Sequence, residues 1–262
     1  MASIAEAPAT RVIAPVALGV IALGLWQAFA GSGVVDDYLL PSPGAIAGEF
    51  VAFAPELFAA AKVTGWNALV GLVGGTVIGV VLALAASMAK PIDAMAAPVV
   101  AALAVVPIVA LAPVLNTMFG ADAETGRQMI AGLAAFTPVF VNTLRGLRQT
   151  RPVHRELLRA YAASTWQTLR VLTLPAAVPF IFTGVRIASS LAVISALVAE
   201  YFGGPRGGIG SFITTASASS QYARAWAYVA VAILLGLVFF LVTAAMERWA
   251  TARGGRPSAS SH

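Results

Sequence analysis

Apolar runs of about twenty residues, separated by short polar or basic segments, recur along the whole chain. A helix rises about 1.5 Å per residue, so roughly 20 mostly apolar residues cross a hydrocarbon layer about 30 Å thick. Six stretches meet or approach that requirement: roughly 12–30, 64–88, 94–119, 128–147, 177–202 and 225–249. The third contains Pro98, Pro107 and Pro113, which kink a helix unless neighbours satisfy the freed carbonyls. The pattern predicts an all-α, polytopic membrane protein with about six spans, read as one transmembrane domain over residues 1–262. The first run ends in Ala28-Phe29-Ala30, which resembles a signal cleavage site. It is longer than a signal core of roughly 7–15 residues and is preceded only by Arg11, so the expectation is a retained anchor. Gly71, Gly75 and Gly79 share one face of the second span and predict close helix packing, against this chain or a second copy.

Composition agrees with the pattern. The chain is 59% hydrophobic and 10% charged, with mean hydropathy +0.87, against roughly 25% charged in a soluble domain. Too little polar surface exists to coat a water-soluble globule. The chain has no cysteine, and its histidines, His154 and His262, lack metal-ligand company. The net charge of +5 becomes informative once the charges are placed on the spans. Six spans put both termini on one side. With the termini inside, the inner segments hold Arg11, Lys90, Arg145, Arg148, Arg151, Arg155, Arg159, Arg170, Arg248, Arg253 and Arg256. The outer segments hold Lys62, Arg127, Arg206 and Arg224, with most of the acids, including Asp36, Glu49, Glu124 and Glu200. The positive charge is therefore an orientation signal, with both termini cytoplasmic, and not a nucleic-acid footprint.

The inner segment 148–174 is longer and more charged than a connector requires. Val153, Leu157, Leu158, Tyr161 and Leu169 form an intermittent apolar stripe among Arg and Gln, as in short amphipathic helices at a membrane surface. Docking of a partner and contact with anionic lipid both suit that pattern.

The segment resembles the "EAA" loop of ABC importer permeases, E-A-A-x3-G-x9-I-x-L-P. Glu156 stands at the Glu position, Ala162 at the Gly, Leu172 at the Ile, and Leu174-Pro175 close the motif. Leu157 and Leu158 replace its two alanines, and Ala162 replaces a turn glycine, which puts the local turn geometry at issue. Tyr161-Ala162-Ala163-Ser164-Thr165-Trp166-Gln167 and Phe182-Thr183-Gly184-Val185-Arg186-Ile187 are similar to stretches of the nitrate/sulfonate/taurine branch. So are Leu40-Pro41-Ser42-Pro43 and Ala199-Glu200 followed by Gly207-Gly208-Ile209-Gly210.

The resemblance implies a type I importer fold and a coupling loop that docks in a separate cytoplasmic ATPase. Two ATPases, a second permease copy and an extracytoplasmic solute-binding protein complete the family's assembly. ATP and Mg would be bound by the ATPase, and no cofactor by this chain. Lys62 and Lys90 each follow Ala, so the sequence has no Gly-Lys of a Walker A loop. On the loop, the coupling candidates are Glu156, Leu157, Ala160, Tyr161, Ala162, Ala163 and Ser164. Glu156 would contact the ATPase or pair with a loop arginine, against the plainer reading of a solvated carboxylate. Arg186, Ser190 and Glu200 are candidates for the translocation path or its gates. A structural arginine reaching the inner surface and serines bonding backbone are the plainer readings there.

The branch carries small anions such as sulfonates, taurine and nitrate, and also heterocyclic vitamin precursors. An ion-gradient transporter would show ionisable groups in several spans and an internal repeat. An intramembrane enzyme would show HExxH, GxSxG or paired aspartates in a span. The spans hold little that is ionisable beyond Arg186, no internal duplication is visible, and none of the enzyme motifs occurs; the acidic pair Asp36-Asp37 lies in the outer loop.

Overall fold

The computed structural model describes residues 10–36, 38–89, 106–120, 123–203 and 207–253, with positions 94, 95, 98, 100 and 102 between. Every regular element among them is helical. In chain order these are α1 (Thr10–Gly31), α2 (Pro43–Ala52), α3 (Ala54–Met88), α4 (Ile108–Phe119) and α5 (Thr125–Arg148). Then come α6 (Pro152–Ala160), α7 (Thr165–Thr168), a π-helical turn (Leu169–Thr173), α8 (Leu174–Tyr201), α9 (Ile209–Ala218) and α10 (Tyr222–Arg253).

Five helices are long and apolar enough to cross a membrane, and they correspond to five of the expected spans. The 94–119 span is described as helix only over α4, whose 12 residues reach about 18 Å, and most of 90–105 lies outside the described residues. Pro107 caps the start of α4 in extended backbone, outside the helix, so its missing N–H breaks no helical hydrogen bond. The second span is longer than expected, because α3 begins at Ala54 and not near 64. The inner segment and the fifth span form one continuous helical path, Thr165–Tyr201. The π turn sits ahead of Pro175. In α geometry that proline's ring would press on the carbonyl of Val171, and the wider turn avoids the clash.

The core is built from small residues. Ala68, Ala131, Ala135, Ala188, Ala192 and Ala196 are fully buried where α3, α5 and α8 meet. A Cβ on Gly71 would collide with that of Ala131, and one on Gly75 would lie 2.9 Å from that of Ala135. The glycine stripe therefore packs on α5 of the same chain, which settles the choice left open by the sequence. Dispersion contacts between closely approached backbones replace the hydrophobic drive that lipid removes.

The exterior is apolar. Leu18, Leu25, Val51, Ile233 and Leu241 are all exposed, and α1 buries almost nothing. That surface suits acyl chains and is costly in water. Leu40-Pro41-Ser42-Pro43 builds the start of α2: Ser42 Oγ accepts the Ala45 N–H at 3.2 Å, and Pro43 sets the first helical position. Arg224 ties α10 to α2 through Glu49 at 2.8 Å and lies 3.5 Å over the Phe53 ring.

Candidate functional site

The loop end of the bundle carries the α6–α7 hairpin. Pro152 opens α6, and the helix stops at Tyr161. Ala162 adopts φ 52°, the left-handed region. Its N–H donates to the Arg159 carbonyl at 2.9 Å, and the Ala163 N–H donates to that of Leu158 at 2.9 Å. This pair of bonds is a Schellman stop, which usually carries Gly at the left-handed position. The turn doubted on the sequence thus keeps its geometry with Ala in place. Ser164 then starts α7 with a reciprocal capping box. Its Oγ accepts the Gln167 N–H at 3.2 Å, while Gln167 Oε1 accepts the Ser164 N–H at 2.7 Å.

The apolar stripe of the loop divides in two. Leu158 is half-buried and Leu169 buried, so these anchor the hairpin to the bundle. Val153, Leu157, Tyr161 and Trp166 are exposed, Tyr161 to 78%. Glu156, Ala160, Ala162 and Ser164 are exposed beside them, and Ala163 is half-buried. The Glu156 carboxylate has no ion pair among the described residues, and the loop arginine nearest in sequence, Arg155, bonds Thr150 and the Leu147 carbonyl instead.

The opposite end carries a buried polar joint. Glu200, 1% exposed, accepts from the Thr64 hydroxyl at 2.8 Å and from the Gly210 N–H at 3.1 Å. Thr64 in turn accepts the Ile209 N–H at 2.9 Å. One carboxylate thereby holds α3, α8 and the N-terminus of α9 together, where the helix dipole favours a negative charge. A Cβ on Gly208 would occupy the carboxylate's own position, and one on Gly210 would lie 2.8 Å from Glu200 Cβ. The Ala-Glu…Gly-Gly-Ile-Gly pattern is therefore a cap and the room for it.

Beside the joint, Glu124 accepts from Asn67 at 2.5 Å and from Arg127 at 2.8 Å, and Gln128 donates to Asn67 at 3.2 Å. Arg127 and Asn67 are fully buried. The sequence reading counted Arg127 among outer-segment charges and missed this network. The i, i+3 spacing of Glu124 and Arg127 was the available signal.

The three path candidates are not brought together. Arg186 and Glu200 stand 14 residues apart on α8, roughly 21 Å along its axis. Arg186 pairs with Glu247 of α10 at 3.0 Å, and Thr183 donates to the other oxygen of Glu247 at 2.5 Å. Glu247 was not anticipated. A carboxylate in the sixth apolar run was the signal, since an arginine at that depth needs a partner. Ser190 is half-buried, while its neighbour Ser189 is buried and bonds the Arg186 carbonyl and Thr243.

Residues 75–253 match the family described as binding-protein-dependent transport system inner membrane component. The chain is 29% identical to the putative aliphatic sulfonates transport permease protein SsuC of Bacillus subtilis, over 84% of this chain and 79% of that one. It is 31% identical to the riboflavin transport system permease protein RibX of Chloroflexus aurantiacus, over 89% and 87%. It superposes on a chain of the methionine ABC transporter MetNI, solved in inward-facing conformations, with TM-score 0.65 at 18% identity, over 78% of this chain and 99% of that one. That likeness establishes the fold. With the family match running through core, hairpin and joint alike, the chain belongs to the binding-protein-dependent ABC transporter permeases, as a multi-pass membrane subunit of an importer with the type I fold.

Proposed function

We propose that this permease couples to a separate ATPase through the α6–α7 hairpin and moves a small organic or inorganic anion of the sulfonate, taurine or nitrate type. The observation that carries the coupling reading is the exposed apolar set Val153, Leu157, Tyr161 and Trp166 on a hairpin held by a helix stop and a capping box. Exposed apolar side chains on a rigid polar loop suit a protein cleft better than water. Glu156, Leu157, Ala160, Tyr161, Ala162, Ala163 and Ser164 form the docking face, and the small residues at the turn permit close approach.

In the assembly proposed, two copies of this chain share the path, two cytoplasmic ATPases bind ATP and Mg, and an extracytoplasmic binding protein delivers solute. The whole chain, 1–262, acts as one transmembrane domain in the cell membrane with both termini cytoplasmic. Arg186 and Ser190 border the path, and Glu200 acts at its outer end as the joint on which neighbouring helices turn. The similarity to a sulfonate permease supports an anion, and the similarity to a riboflavin permease supports a heterocyclic vitamin precursor as the second reading.

The test is co-purification in detergent with candidate ATPases, using the native chain and Glu156→Ala. Co-elution with ATPase activity or complex yield lowered by the substitution is the expected result. If no ATPase binds and solute moves on an ion gradient alone, a secondary transporter replaces this reading. Uptake of radiolabelled sulfonate or riboflavin into proteoliposomes, with the cognate binding protein supplied, separates the two substrate classes.

A further inference from the structure

Helix α6 has a second face. Its exposed apolar residues point away from the bundle, whereas Arg155 and Arg159 line a cleft between the back of the hairpin and the ends of α3 and α5. The cleft has a volume of about 420 Å³, within the range of about 300–1,000 Å³ typical of small-molecule sites. Arg148, at the last position of α5, is the third guanidinium of its wall, and the hydroxyl residues Ser87, Thr165 and Thr168 also line it. None of the lining residues is acidic.

Three guanidiniums share one cleft with no carboxylate in its lining, and their mutual repulsion, already screened by water, falls further when an anion lies between them. Arg155 is already fixed, with Nε donating to Thr150 Oγ1 at 2.7 Å and Nη2 to the Leu147 carbonyl at 3.2 Å. The Arg159 guanidinium has no partner among the described residues. A planar fork with a free edge, beside hydroxyl groups, is matched to a phosphate oxygen pair. The cleft also sits where α3 and α5 leave the apolar layer, the level of lipid headgroups.

We propose that this cleft binds a phosphate group, carried by an anionic phospholipid or by a small soluble phosphate. The bound anion bridges the back of α6 to the ends of α3 and α5 and stiffens the hairpin. This site lies behind the docking face and shares only Ala163 with it, and its anion contacts, from Arg148, Arg155 and Arg159, belong to none of the docking residues.

The full-length chain in detergent tests the proposal in two arms. Native mass spectrometry compares retention of phosphatidylglycerol and phosphatidylcholine of equal acyl length. Thermal unfolding compares inorganic phosphate with chloride at equal ionic strength. Each is run on the native chain, on Arg159→Gln, and on Arg170→Gln, an exposed arginine outside the cleft. Arg159 makes no bond whose loss would unfold the hairpin, so its variant reads the site. Selective retention of phosphatidylglycerol, weakened about tenfold or more in Arg159→Gln and unchanged in Arg170→Gln, identifies a lipid phosphate. A rise in unfolding temperature with inorganic phosphate, lost only in Arg159→Gln, identifies a soluble one. Response in neither arm, or equal losses in both variants, overturns the proposal.

Discussion

Ala162 concentrates the residue-scale tension in the hairpin. A left-handed L-residue costs roughly 1–2 kcal/mol, and Gly removes that cost while giving back part of it through unfolded-chain entropy. Ala162→Gly is expected to stabilise the turn by up to about 1 kcal/mol. Slower hydrogen exchange at the amides of Ala162 and Ala163 would report it, and faster exchange would refute it. At the far end, Glu200→Ala strands the Gly210 N–H and the Thr64 hydroxyl in a buried site, at about 1–3 kcal/mol for each donor. Gly208→Ala is expected to destabilise by collision with the same carboxylate, and the double variant to lose less than the sum of the two. Thermal unfolding of the four proteins in detergent completes the cycle. Strict additivity would mean that the joint does not couple these residues. The Arg186–Glu247 pair lends itself to exchange. The swapped pair Arg186→Glu with Glu247→Arg should recover folding lost in either single variant. Transport that stays lost in the swap would mark Arg186 as a group the solute itself meets.

Among the elements, α3 presents adjacent glycines with opposite surroundings. Gly75 lies against α5, whereas a Cβ on Gly74 meets nothing within 4 Å among the described residues. Gly75→Leu is expected to abolish the folded chain and Gly74→Leu to leave it intact, judged by monodisperse elution from a sizing column. Equal tolerance would deny the close α3–α5 seam. The glycine stripe was legible in the sequence because four-residue spacing maps directly onto a helix face. The long apolar helices were legible for the same reason, as lipid leaves no other solution for the backbone. The Glu200 joint was less so. The donors to Glu200, Thr64 and Gly210, lie 136 and 10 residues away, and no periodicity links them. The glycines around Glu200 matched a family pattern before any steric reason for them was visible. The continuous path through the π turn escaped because Pro175 and Pro179 mark the entry into the fifth span on the sequence, whereas a π turn leads into Pro175 at the start of α8 and Pro179 lies inside that helix.

For the whole molecule, the chain's lack of cysteine makes sidedness directly measurable. Single cysteines at Leu157 and at Ala252, near the end of α10, should react with a membrane-impermeant maleimide in inverted vesicles and stay silent in right-side-out ones. The reverse result would invert the assignment drawn from the arginine-rich segments. The exposed apolar belt of α1, α3 and α10 faces acyl chains in that arrangement, which explains why a chain with so many exposed leucines and valines needs no soluble core.

The unbroken segment Thr165–Tyr201 has a mechanical corollary. Thirty-seven residues of helix make a strut roughly 55 Å long, with Trp166 at its foot and Glu200 at its head. A lean of about 5° at the foot sweeps the head through about 5 Å, by the geometry of a rod of that length. Glu200 bonds α9 and α3, so under the coupling proposed above a lean at the foot would carry those helices with it. A crank of this kind needs no relay of rearranging side chains between its ends. Its throw is fixed by length, and its weak point is the wide turn near the foot, where a hinge would waste the stroke.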